Sequence, residues 1–130
     1  MENQLPESEM PLVVRTDFTN EDAWNSICQA IRQGEAGELI EFLDDKKWQG
    51  VAKGQLKSGN QSFVILADKT AMTQSGFHLL VVDLENGKEF RSIPSEIGSI
   101  AANLSIANMD WSDFSESVDK DGVFRGFSKH

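Results

Sequence analysis

The spacing of apolar positions changes several times along the chain, and each change marks an element. After a polar start, Pro11 leads into Leu12-Val13-Val14-Arg15-Thr16, a β-branched run that predicts a first strand. Thr19 with Asp22 three residues on predicts a helix start, in a weak form of the capping box. Ala23, Trp24, Ile27, Cys28 and Ile31 then recur at intervals of three and four, the signature of one buried helical stripe, until Gly34 ends it. Residues 38–43 predict a second strand, so the chain opens as a strand-helix-strand unit with a right-handed crossover.

Residues 46–59 scatter Trp48, Val51 and Leu56 among glycines and predict an irregular connection with one helical turn. Residues 62–67 are continuously apolar after Ser62, as in a strand buried on both faces. Residues 78–84 and 88–93 flank Glu85-Asn86-Gly87, and Asn-Gly between two apolar runs signals a hairpin. Pro94 suits the first turn of a helix whose buried stripe is Ile97, Ile100, Ala101 and Leu104. Asp110 and Asp113 start a last short helix carrying Trp111, Phe114 and Val118 inward, and residues 123–127 close as a short strand or coil. These elements predict an α/β fold: a flexible N-terminal tail over residues 1–10, then a single globular domain over 11–130. Its mixed sheet has about five strands, parallel in the first three, with one antiparallel hairpin and helices packed against it.

Composition narrows the function classes. With 130 residues, 39% hydrophobic and 25% charged, the chain can close a core without disulfides or metals. The formal charge of −9 is spread over both halves, so no basic patch exists to neutralise phosphates. That argues against nucleic acid and anionic membrane, and makes a basic protein surface the natural partner. Cys28 is alone, which fits a reducing compartment, and the longest apolar run falls far short of the roughly 20 residues of a membrane span. The expected location is the cytoplasm. Nothing in the residues prescribes a cofactor or an oligomeric state.

Three predicted strands run into aspartates, at Asp17, Asp44-Asp45 and Asp68. Parallel neighbours would gather these acids on the carboxyl edge of one sheet, where α/β folds bind ligands. Asp17, Asp44, Asp45 and Asp68 could hold a hard cation such as Mg²⁺, and Arg15 on the same strand could meet an anion. The plainer expectation is that the aspartates cap turns beside Lys46, Lys47 and Lys69 and that Arg15 makes a salt bridge. Asp110, Asp113, Glu116 and Asp119 fall every third residue, which on a helix gives an acidic ridge suited to a basic partner or simply to water. Asp119-Lys120-Asp121-Gly122 is too incomplete for a calcium loop and reads as a turn. Cys28 sits in a core stripe, no Gly-x-Ser-x-Gly elbow occurs, and His78 and His130 are not at metal-binding spacing.

Several longer phrases carry a resemblance. Leu12-Val-Val-Arg-Thr-Asp-Phe18, Leu80-Val-Val-Asp83, Asn103-Leu-Ser-Ile-Ala-Asn-Met-Asp110 and Gly122-Val-Phe-Arg-Gly-Phe127 resemble a family of small bacterial proteins that is a domain of unknown function. The resemblance spans nearly all of residues 11–127 and implies one compact domain, with no activity or catalytic residue to transfer. Trp111 departs from the pattern's usual phenylalanine, a change a core accepts. The favoured reading is a non-enzymatic, acidic interaction module of the immunity or inhibitor kind. The alternative is a divalent-metal- or phosphate-dependent enzyme or ligand sensor built on Arg15 and the strand-end aspartates.

Overall fold

In the computed structural model, which describes residues 3–57 and 59–127, the first elements are β1 (Asn3–Gln4), β2 (Leu12–Arg15), α1 (Glu21–Gln33), β3 (Glu41–Leu43), β4 (Leu56–Lys57) and β5 (Phe63–Ala67). They are followed by α2 (Lys69–Thr73), β6 (Leu79–Asp83), β7 (Glu89–Ser92), α3 (Ile97–Ser105), α4 (Trp111–Ser115) and β8 (Val123–Phe124). His130 and the first two residues of the expected tail lie outside the described residues.

The six-stranded sheet runs β3-β2-β5-β6-β7-β8. β3, β2 and β5 are mutually parallel, as the strand-helix-strand opening predicts, and β6 and β7 form the antiparallel hairpin expected at Asn86-Gly87. β8 adds a sixth strand, parallel to β7. The α/β class and mixed sheet therefore stand as expected, one short strand larger.

Period-two alternation divides the strands between two cores. Val13, Ile65, Leu79 and Val81 face the stripe Ala23, Trp24, Ile27, Cys28 and Ile31 of α1, together with Ile97, Ile100 and Phe114. Leu12, Val14, Val64, Leu66, Leu80 and Val82 face the other way, under Trp48 and Leu5. Both faces are covered, which explains why the strands read as nearly continuous apolar runs.

Several local expectations move. Asn20, not Thr19, caps α1, accepting from the Ala23 N–H at 3.0 Å. The second strand starts at Glu41 instead of residue 38, because Gly37–Leu39 coil into a 3-10 turn. The expected irregular connection holds two 3-10 turns and β4. α2 was not anticipated from the sequence, and its signal was Asp68, which accepts from the Ala71 N–H at 3.1 Å. The N-terminal segment, expected as a tail, is docked at residues 3–5: β1 pairs with β4, and Leu5 enters the second core at 1% exposure. Polarity hid this, since Leu5 is a single apolar anchor among polar neighbours. No described helix is long and apolar enough to cross a membrane.

The turn after α1 meets the start of α3 backbone to backbone. A Cβ on Gly98 would stand 2.3 Å from the Glu35 carbonyl oxygen, and one on Gly34 would stand 2.4 Å from that of Ser95. Alanine favours a helix over glycine by about 1 kcal/mol, yet Gly98→Ala must push rigid backbone apart. We expect Gly98→Ala to lose about 1–3 kcal/mol in denaturant unfolding, while Gly54→Ala, which meets nothing within 4 Å, stays within about 0.5 kcal/mol. A stabilised Gly98→Ala protein would contradict this packing.

Candidate functional site

Because β2, β3 and β5 are parallel, the segments after them share the carboxyl edge of the sheet. The chain leaves β2 toward the face of α1, whereas it leaves β3 toward the face of Trp48. A crevice opens where neighbouring connections diverge in this way. It is a cleft of about 340 Å³ lined by residues 16–19, 49–51 and 68–69. Two backbone bonds shape it, Thr16 N–H to the Ala67 carbonyl at 3.0 Å and Gly50 N–H to the Thr16 carbonyl at 2.8 Å. Gly50 holds φ +75°, a conformation glycine adopts without strain.

Arg15 closes the inner side of this edge and is 2% exposed. Its Nε donates to the Asp17 carbonyl at 3.1 Å, Nη1 to Asp44 Oδ1 at 3.0 Å and Nη2 to Glu21 Oε1 at 2.9 Å. The guanidinium lies 4.3 Å from the Phe18 ring centre and 5.3 Å from that of Trp24. Burial would lower its pKa, but the hydrogen bonds and charges of Glu21 and Asp44 outweigh this and raise it. The salt-bridge expectation for Arg15 therefore holds, with one difference: the arginine is buried and its acid partners are not. Asp44 is further occupied by the Trp24 Nε1–H at 3.2 Å.

The other strand-end acids go elsewhere. Asp45 turns away to cap Lys46–Trp48, accepting from the Lys47 N–H at 3.0 Å. Asp68 caps α2 and also takes a bidentate pair from Arg91, both contacts at 2.8 Å, while the same arginine donates to the His78 carbonyl. Arg91 was missed as a partner of this edge, since a lone arginine in a hairpin strand gives no sign of where it reaches. Asp17, 8% exposed, accepts through Oδ1 from the Thr19 N–H and hydroxyl. Burial opposes ionisation of Asp17, but the Thr19 hydrogen bonds, Lys69 and Arg15 prevail and hold its pKa below 3.8. Among the described residues no three His, Cys, Asp or Glu side chains are grouped to hold a metal ion. The edge thus joins Arg15 with Asp44, sets Asp17 beside them, and directs Asp45 and Asp68 to separate donors.

The acidic positions near the C-terminus do not form one helical ridge. α4 ends at Ser115 with Glu116 as its C-cap, so Asp119 lies beyond the helix. Asp113 Oδ2 accepts from the Asp110 N–H at 2.8 Å, and Asp119 and Asp121 both pair with Arg125. The segment from Asp119 to Gly122 is a turn closed by Gly122 N–H to the Asp119 carbonyl at 2.9 Å. Asn103 and Asn108 tie down the end of α3, Asn103 Nδ2 donating to the Ser99 carbonyl and Asn108 Nδ2 to Asn103 Oδ1, each at 2.8 Å. Cys28 is buried, and desolvation pushes its thiol up to about 11, far from a nucleophile's range.

A second cleft, of about 330 Å³, lies away from the strand edge and is largely apolar. Met10, Pro11, Leu39, Ala102 and Ile106 line it, with Glu9 and Ser105 beside them. Leu39 is 49% and Ile106 73% exposed, an unusual outlay of large apolar side chains on an acidic surface. At one end of it Gln61 Nε2 donates to the Met10 carbonyl at 3.3 Å. Its residues come from three separate segments, so no local pattern marks it.

Two consequences of the Arg15 cluster are measurable. Replacing Arg15 by methionine removes the buried charge along with its partners' need for it, whereas Glu21→Gln with Asp44→Asn leaves the guanidinium with amide acceptors but no counter-charge. We expect the double acid variant to lose about 1–3 kcal/mol, the acids being partly exposed, and Arg15→Met less, read by denaturant unfolding. The low folded pKa of Asp17 means the unfolded chain takes up the proton first as pH falls. Its stabilising contribution is complete above about pH 4 and fades as pH drops from there through the folded pKa. The acid limb of the stability curve should therefore flatten in Asp17→Asn, and an unchanged limb would contradict the assignment.

A family model, Domain of unknown function (DUF6924), matches residues 10–127. No curated protein matches the chain.

Proposed function

The chain belongs to the family described as Domain of unknown function (DUF6924), and we propose that this member is a non-enzymatic module that docks a basic protein surface. The observation that carries the reading is the apolar cleft with Leu39 49% and Ile106 73% exposed. Covering what these side chains still expose supplies a part of the about 1.5–3 kcal/mol that full burial of each would give, and the Gln61 hold on the Met10 carbonyl lowers the ordering cost at that end.

Charge selects the partner. The chain carries −9, with Glu9 in the cleft, Glu38 next to Leu39, and Glu41 accepting from the Ser8 hydroxyl. The fitting partner offers an apolar side chain flanked by Lys or Arg, in the manner of an inhibitor's target surface, and its approach is accelerated by opposite charge. A second copy of this acidic chain is the poorer fit. The metal- or phosphate-dependent alternative draws little support from an edge whose acids are spread among Arg15, Arg91 and backbone donors. A cytoplasmic setting suits the proposal, resting on the single, buried Cys28.

The test compares cross-linked partners of the native chain with those of a Leu39→Asp, Ile106→Asp variant, at low and high salt. Both positions are exposed, so folding should persist, checked by circular dichroism. We expect partners whose capture falls at least about tenfold both in the variant and in high salt. Partners retained equally by the variant would sink the proposal.

A further inference from the structure

Asp17 is the one strand-end acid at the crevice with an oxygen left open. Its residue is 8% exposed, Oδ1 is taken by Thr19, and no described donor meets Oδ2. No described buried side-chain oxygen or nitrogen lacks a partner, so Oδ2 must reach solvent, and Asp17 lines the cleft. Asp44 and Asp68 differ, since arginines occupy both. On the same cleft, Lys69 is exposed and makes no ion pair with a described residue, although its charge acts on Asp17. Opposite charges thus face one cavity without closing on each other. Phe18 and Val51, both half-buried, provide an apolar wall.

We propose that the crevice between the ends of β2 and β5 binds a small zwitterion with an apolar body, of the α-amino acid class. The ligand's ammonium donates to Asp17 Oδ2, its carboxylate accepts from Lys69 Nζ, and its apolar part lies against Phe18 and Val51. An anion alone meets the Asp17 carboxylate unfavourably, and a cation alone leaves Lys69 unmatched. The cavity, about 340 Å³, falls at the lower end of the range of small-molecule pockets. This site goes beyond the docking cleft and shares no lining residue with it.

The test is a ¹⁵N–¹H chemical-shift titration of the full chain with alanine, leucine and phenylalanine. Isoamylamine and 4-methylvalerate serve as singly charged counterparts of leucine. Asp17→Asn keeps an acceptor for Thr19, and Lys69→Met removes an exposed charge, so both variants should stay folded. We expect at least one amino acid to give saturable shifts at residues 16–19, 49–51 and 69, with a dissociation constant of about 1 mM or below. Each variant and each singly charged analogue should bind about tenfold more weakly. The proposal is overturned by no saturable shift with all three amino acids, by equal binding in either variant, or by an amine that binds as tightly as leucine.

Discussion

A guanidinium buried at the end of the central parallel strand is the constraint around which the carboxyl edge is organised. Arg15 cannot sit at 2% exposure without acceptors, and its three contacts come from three places: the chain just after β2, the end of β3 and the first turn of α1. Each contact fixes an element that backbone pairing alone leaves free to tilt. Glu21 sits where the helix dipole favours an acid, so the pair also supports the start of α1. Phe18 and Trp24 cover the flat faces of the cation and keep water away from it.

That constraint explains what the strand-end aspartates are doing. Aspartate after a strand is chemically versatile, and at a sheet edge it can equally cap a helix, accept from arginine or bind a cation. Here the first two uses absorb Asp44, Asp45 and Asp68, through Arg15, the Lys47 N–H, and Arg91 with the Ala71 N–H. Among the described strand-end acids, only Asp17 both lines the crevice and has a carboxylate oxygen with no donor. Large apolar side chains are exposed elsewhere, at Leu39 and Ile106.

The fold was legible where hydrophobic period and turn chemistry agree. The α1 stripe, the run at 63–67 and the Asn-Gly hairpin all fell in place because burial on one stripe or both faces leaves a periodic record. Boundaries were less legible at Gly37, whose backbone lies against the Ile31 carbonyl of α1 with no room for a Cβ, and at Leu5, where one apolar residue docks a polar segment. The site was legible by location only. Which of several carboxylates an arginine takes depends on side-chain reach across elements, and the pairing of Asp68 with Arg91 spans two strands that sequence proximity does not join. The apolar cleft left no trace because Pro11, Leu39 and Ile106 are each unremarkable in their own segment.

Among the described residues the carboxyl-edge acids are held by internal donors, and no three of them group as metal ligands. The most direct measurement is a thermal-shift titration of the native chain with Mg²⁺, Mn²⁺ and Ca²⁺, because a cation bound to the folded state raises the unfolding temperature by mass action. No saturable rise is expected up to about 10 mM metal, which is roughly 10 times a millimolar dissociation constant. A saturable rise that disappears when Asp17 and Asp68 are changed to asparagine would contradict it.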